Sequence, residues 1–216
     1  MKTTLKTEYY DNGQKKSEGN DINGKKEGLW TGWYDNGEER RFCLGQKWWE
    51  GNYKDGKKDG LWTGWYENGQ KKFEWDYTNG KLKGLLTEWY GNGQKKMEVN
   101  FENGKEDGLL TEWHDNGQKR WEGNYKDEKK EGSWTWWYYD GWIEAVKHFK
   151  NGKKERLHTN WYRNGEKWYE ENWKDDKKEG LSTKWDKKGK ITKQELYKNG
   201  KVVRFGLFLK KLKDSM

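Results

Sequence analysis

Three histidines, one cysteine and a recurring glutamate are the side chains through which this 216-residue sequence could do acid–base, nucleophilic or metal chemistry. His114, His148 and His158 stand in different stretches, and Cys43 is near none of them, so zinc-ligand spacing is missing. No cofactor is implied. The glutamates Glu18, Glu50, Glu74, Glu98, Glu122 and Glu170 follow a turn glycine by five residues. At hairpin intervals of roughly 10 Å, twice the spacing between strands, neighbouring copies are too far apart to share a proton. They read better as a solvated row paired with Lys16, Lys72, Lys96 and Arg120, two residues away. Asn-Gly-Lys phrases suggest phosphate cradles, but the strand-to-helix context of a P-loop is missing. With no converging groups of tuned pKa, the expectation is a protein that is not an enzyme.

The elements carrying these residues come from a repeat. An aromatic pair precedes Asn-Gly at Tyr9-Tyr10, Trp33-Tyr34 and Trp65-Tyr66, and its first member recurs at Trp89, Trp113, Trp137, Trp161 and Trp185. A second turn follows eleven residues after the first, at Gly24, Gly56, Gly80, Gly104, Glu128, Gly152, Asp176 and Gly200. The period is 24 residues except between Gly37 and Gly69, where an insertion at about 37–44 makes it 32. Asn-Gly between alternating segments signals a hairpin closed by a type I′ turn. In the strand after the first turn, Phe73, Trp75 and Tyr77 share one face, and Lys72, Glu74 and Asp76 fall on the wet face. The returning strand sets Leu61, Thr63 and Trp65 on one face and Trp62, Gly64 and Tyr66 on the other, with a threonine in every unit from Thr7 to Thr183.

The expected fold is therefore all-β: an elongated, twisted antiparallel meander, a β-hairpin solenoid of about eight 24-residue repeats in a single domain over 1–216. Seventeen strands at ~4.8 Å would run about 80 Å, ending in a cap over about 201–216 that continues as a strand or turns into a short helix. Zero proline fits, since inner strands need every ladder N–H. Only 30% of residues are hydrophobic and 38% are charged, which would point to disorder, but 18 Trp and 13 Tyr can supply the missing core. No stretch is apolar enough for a membrane-spanning helix, and the N-terminus as given lacks the apolar region of a secretion signal, so a cytoplasmic location is expected.

The phrase Gly-Leu-Trp-Thr-x-Trp-Tyr-x-Asn-Gly-Gln-Lys-Lys, at Gly60 to Lys72, resembles the MORN repeat in its bacterial variant, found in the YwqK-type antitoxin family. The resemblance covers nearly the whole chain. It implies a non-catalytic hairpin solenoid that engages other molecules, and the antitoxin label implies neutralising a toxin by direct binding. Departures are Arg156 in place of the usual glycine, Glu166 after Gly165, and the loss of Asn-Gly from Trp137-Tyr138-Tyr139-Asp140-Gly141.

A protein partner is the favoured expectation, because rigid Trp and Tyr dominate interface energetics. The expected contact points are Trp62, Trp134, Trp136 and Trp142, taken as exposed rings, and the inserted segment with Arg40 and Arg41. The net charge of +8 offers other partners. Lysine pairs such as Lys71-Lys72 on one edge and Lys25-Lys26, Lys57-Lys58 and Lys153-Lys154 on the other form basic rims suited to an anionic membrane surface. Each rim lysine also lies near a carboxylate (Glu27, Asp59, Asp107, Glu131, Glu155, Glu179), which favours a role in solubility. Single-stranded nucleic acid is the weakest of these readings, since lysine supplies a point charge where arginine supplies a fork. A cell-surface adhesion repeat is a further alternative. A nuclease toxin could not be blocked by mimicry of DNA, which needs an acidic surface.

Overall fold

A computed structural model of the chain describes residues 2–35 and 45–203. The described residues are all-β, with eighteen strands and no helix. Two compact units divide the chain, Met1–Gly117 and Gln118–Met216. The first holds β1 (Thr3–Tyr9), β2 (Lys15–Ile22), β3 (Lys25–Trp33), β4 (Lys47–Lys54), β5 (Lys57–Trp65), β6 (Lys71–Thr78), β7 (Lys81–Leu82), β8 (Gly84–Trp89), β9 (Lys95–Glu102) and β10 (Lys105–Trp113). The second holds β11 (Lys119–Lys126), β12 (Lys129–Trp137), β13 (Ile143–Lys150), β14 (Lys153–Trp161), β15 (Lys167–Lys174), β16 (Lys177–Trp185), β17 (Ile191–Lys198) and β18 (Lys201–Val203). Within each unit, successive strands pair antiparallel. Eighteen strands replace the expected seventeen because one returning strand breaks at Lys83, giving β7 and β8, both of which pair with β6. The inserted segment and most of the C-terminal cap lie outside the described residues.

The type I′ turn expected at both landmarks forms at one. At Asn23-Gly24 both residues have positive φ, 54° and 84°. At Asn12-Gly13 only the glycine does; Gly13 N–H donates to Tyr10 O and Tyr10 N–H to Gln14 O. This is a three-residue loop that leaves asparagine at negative φ, where its Oδ1 accepts from the N–H of Gln14. Asp140-Gly141 builds the same loop without asparagine, since Gly141 keeps φ 86° and donates to Tyr138 O.

A bulge follows each of these loops. Tyr9 faces Lys15 while Glu8 faces Ser17, so Lys16 is an extra residue, and the pattern repeats at Trp33/Lys47 and Trp65/Lys71. The bulge corrects the expected lysine–glutamate pairing. It turns Lys15 onto the face of Glu18 at 2.7 Å, and likewise pairs Lys47 with Glu50 and Lys71 with Glu74, both at 2.5 Å. The glutamate's partner is thus the lysine three residues before it. The extra residue itself turns to the opposite face, so Lys16 lies over Tyr10 and Lys72 over Tyr66.

That opposite, inner face carries the core. Trp30, Trp62 and Trp134 are nearly fully buried, with Leu86, Leu110 and His158 in equivalent places and Val99 buried across from Leu110. Each indole lies on a glycine of the preceding strand: a Cβ added at Gly19, Gly51 or Gly123 would fall inside the ring of Trp30, Trp62 or Trp134. Where that glycine is replaced, the residue eleven positions later shrinks, as in Trp75 with Leu86, Val99 with Leu110, Lys147 with His158 and Glu171 with Ser182. Each hairpin holds one large group at this level, to the close packing of protein interiors. The outer face carries threonine opposite glutamate, as in Thr63 facing Glu50 and Glu74, with half-exposed leucines such as Leu29 and Leu61 beside them.

Tyrosine ties one hairpin to the next. Tyr10, Tyr66, Tyr90, Tyr138 and Tyr162 donate their hydroxyls to the carbonyl of the tryptophan 23 residues on, at 2.7–3.0 Å. Tyr34 reaches Trp65 instead, 31 residues on, at 2.6 Å. The tie spans the inserted segment without losing its geometry.

Candidate functional site

Lysine recurs four residues before the buried ring, and strand alternation sets it over that ring. In the first unit Lys26 Nζ lies 3.9 Å from the Trp30 centroid and Lys58 Nζ 4.2 Å from that of Trp62, with Tyr53 and Tyr77 closing the other side. In the second unit Lys130 lies 4.2 Å from Trp134 and Lys154 4.3 Å from Trp173. Burial pushes the ammoniums of Lys58 and Lys130 below the ordinary lysine pKa. The indole N–H is spent within the chain: Trp30, Trp62 and Trp134 donate to the carbonyls of Asn20, Asn52 and Asn124 at 2.9–3.2 Å. His158 fills the tryptophan place and keeps the bond, its Nε2 lying 2.9 Å from His148 O.

The carboxylates expected to neutralise the rim lysines point elsewhere. Glu27, Asp59, Glu131, Glu155 and Glu179 each accept the backbone N–H of a neighbouring turn, from Asp55, Asn79, Asn151, Asp175 and Asn199 at 2.7–3.2 Å. The rim is also half the expected size: Lys25, Lys57 and Lys153 stay exposed at the turns, while Lys26, Lys58 and Lys154 fold onto the inner face. Among the described residues, neither Lys58 nor Lys72 has a carboxylate partner.

These features converge in a cleft of about 540 Å³ in the first unit. Its floor is two pairs of stacked rings, Trp49 on Trp62 (centroids 5.0 Å apart) and Phe73 on Trp75 (4.2 Å). Glycine makes the floor flat: side chains at Gly32 and Gly64 would collide with Trp49 and Phe73. Lys58 stands on the rim, and the bulge brings Lys72 and Trp48 there as well. Lys96 also lines the cleft but is bonded to Glu88 at 3.1 Å. Among the described residues the buried indole N–H of Trp75 has no acceptor, a cost of about 1–3 kcal/mol carried by the floor itself.

The residues expected to meet a partner are scattered. Trp62 is 3% exposed and Trp134 1%, correcting their expected exposure; their edges carry the core. Trp136 is half-buried beside Lys130 and Lys147, and Trp142 is 62% exposed beyond Gly141. Arg40 and Arg41 lie outside the described residues. Sequence reasoning missed Trp48, Trp49, Lys58, Lys72 and Phe73 as a group. A signal was present in the lysine four residues before each buried ring, as at Lys26/Trp30, Lys58/Trp62 and Lys130/Trp134. His158 is a buried packing residue, and among the described residues no three His, Cys, Asp or Glu groups are placed to hold a metal ion.

Hairpins in series, with a lysine seated on the buried rings of Trp30, Trp62 and Trp134, define a repeat scaffold. Residues 3–20, 58–79, 82–103, 106–127, 130–151 and 178–199 match the family described as MORN repeat variant, more than half of the chain, so the chain belongs to that family. The matched segments skip 21–57, which holds the insertion, and 152–177, which holds Arg156. No curated protein matches.

Proposed function

We propose that this protein is a non-catalytic scaffold that captures a partner protein on its inner face, and that the partner is a toxin it neutralises. The observation that carries the reading is the ammonium of Lys58, seated on the Trp62 indole and without a carboxylate partner among the described residues. Such a surface is preorganised: its rings are locked by packing and its lysines by cation–π contacts, so little entropy is lost on binding. The long aromatic face supplies anchors of the kind that dominate interfaces. The test is to use the tagged protein as bait in its source cell under crosslinking, with the adjacent reading frames as first candidates. One stoichiometric partner is expected, whose expression alone arrests growth and whose co-expression with this chain restores it. Failure to recover any stoichiometric protein counts against the reading.

A second reading, binding to anionic lipid headgroups, is favoured by the exposed turn lysines. In the first unit Lys25, Lys57 and Lys81 each pack against the turn glycine of a neighbouring hairpin, at Gly56, Gly80 and Gly104. Liposome flotation that rises with anionic lipid content and falls with salt supports it, and flotation indifferent to both removes it.

A further inference from the structure

The cleft in the first unit has a chemistry narrower than that of a general scaffold. Its floor is ring faces and its rim holds two ammoniums, Lys58 and Lys72, whose only contacts among the described residues are π faces: Trp62 and Tyr77 for the first, Tyr66 for the second. Lys58, half-buried, is drawn partly out of water and gains most from a carboxylate brought to it, and Lys72 stands exposed at the rim as a second positive charge. The floor gains from a further ring, since offset or edge-on ring pairs stabilise beyond the area they bury. Trp48, 42% exposed at the rim, is placed to cover such a ring.

We propose that this cleft seats a segment of a protein partner in which an aromatic side chain is flanked by carboxylates. The proposal rests on the protein-binding reading above and names what that partner presents. Two observations favour a protein segment over a nucleic-acid strand. The volume of about 540 Å³ suits one ring with its flanking groups. Glu88 in the lining consumes Lys96, so the cleft offers two ammoniums, Lys58 and Lys72, which match the two carboxylates flanking one ring and are too few for a run of phosphates.

The test is binding of fluorescein-labelled decapeptides to the full chain. One pool fixes Asp or Glu on both sides of a central Trp or Phe; a second replaces the acids with lysine; a third replaces the ring with serine; oligo-dT of ten nucleotides is a fourth probe. The acidic–aromatic pool is expected to bind at least tenfold more tightly than any other. Lys58→Met with Lys72→Met, which keeps the aliphatic stems on the rings, is expected to remove at least tenfold of that affinity while leaving the circular dichroism spectrum and urea midpoint unchanged. The proposal is overturned by equal binding of the serine or lysine pool, by tighter binding of oligo-dT, by no binding of the acidic–aromatic pool, or by an unaltered double variant. If that variant still captures the cellular partner as tightly as the parent chain does, the cleft proposal falls and the scaffold reading stands. If neither captures any partner, the scaffold reading falls too.

Discussion

The indole of Trp134 lies against the backbone of Gly123 in the neighbouring strand, so closely that a Cβ on that glycine would enter the ring. Glycine is a poor strand residue. Here it gives an almost fully buried ring a flat bed, and Trp121, Tyr125 and Phe149 close around the indole with centroids 5.1–6.4 Å away.

One expected consequence is that Gly123→Ala, a change that favours strands elsewhere, destabilises the second unit. Overpacking of this kind costs about 1–3 kcal/mol. Urea unfolding followed by circular dichroism measures it, and the same change at exposed Gly91, where added Cβ atoms meet nothing, is expected to be nearly neutral.

Arg156 occupies a left-handed backbone position, φ 61°, that glycine fills at Gly28, Gly60, Gly84, Gly108, Gly132 and Gly180. A side chain there costs about 1–2 kcal/mol. Arg156→Gly is expected to raise the stability of the second unit by about 1 kcal/mol, part of the gain being offset by the freer unfolded chain. A raised midpoint in urea is the readout.

His158 gives the second unit a pH dependence. Burial is the main reason its pKa lies below the ordinary histidine value, and Lys147, Lys154 and His148 lower it further, against the raising effect of its bond to the His148 carbonyl. As pH falls, the unfolded chain therefore takes up the proton first. The stability contributed by neutral His158 is full above the ordinary histidine pKa of about 6.5 and declines below it. His158→Trp, the residue used at equivalent places, is expected to flatten stability between pH 7.5 and 5.5. His148→Gln, at a half-buried position whose pKa is also lowered, chiefly by burial, is expected to flatten it less.

The tyrosine tie is expected to be modest and local. Tyr66→Phe removes the 2.7 Å bond to Trp89 O and leaves the ring in place, at a cost of about 1 kcal/mol. Native-state hydrogen exchange should show faster exchange in β5 to β8 and little change in the second unit.

The hairpin repeat was legible because Asn-Gly and the aromatic pair recur in phase, and turn chemistry is local enough to be read from a few residues. The bulges were not, because they depend on how the loop hands the chain back to its partner strand. A single extra residue then moved Lys72 and Lys16 to the ring face and Lys71 and Lys15 to the glutamates. The site was less legible for the same reason: Trp62 looks like an available ring until Gly51 shows where it lies. The exchange of bulk between positions eleven apart, from Gly19/Trp30 to Glu171/Ser182, is visible in the sequence once the register is known. Asp59 stands beside Lys58 in the chain yet bonds the next turn, a pairing that alternation alone cannot foresee.

That exchange of bulk is the physical basis of the core, and a double-mutant cycle on Gly123→Val and Trp134→Leu tests it most directly, since the pair would copy Val99 and Leu110. Each single change is expected to destabilise, the first by overpacking and the second by opening a cavity. The double variant should recover at least ~1 kcal/mol relative to the sum of the two. Additive losses, with no recovery, would contradict a core built from one large group per hairpin.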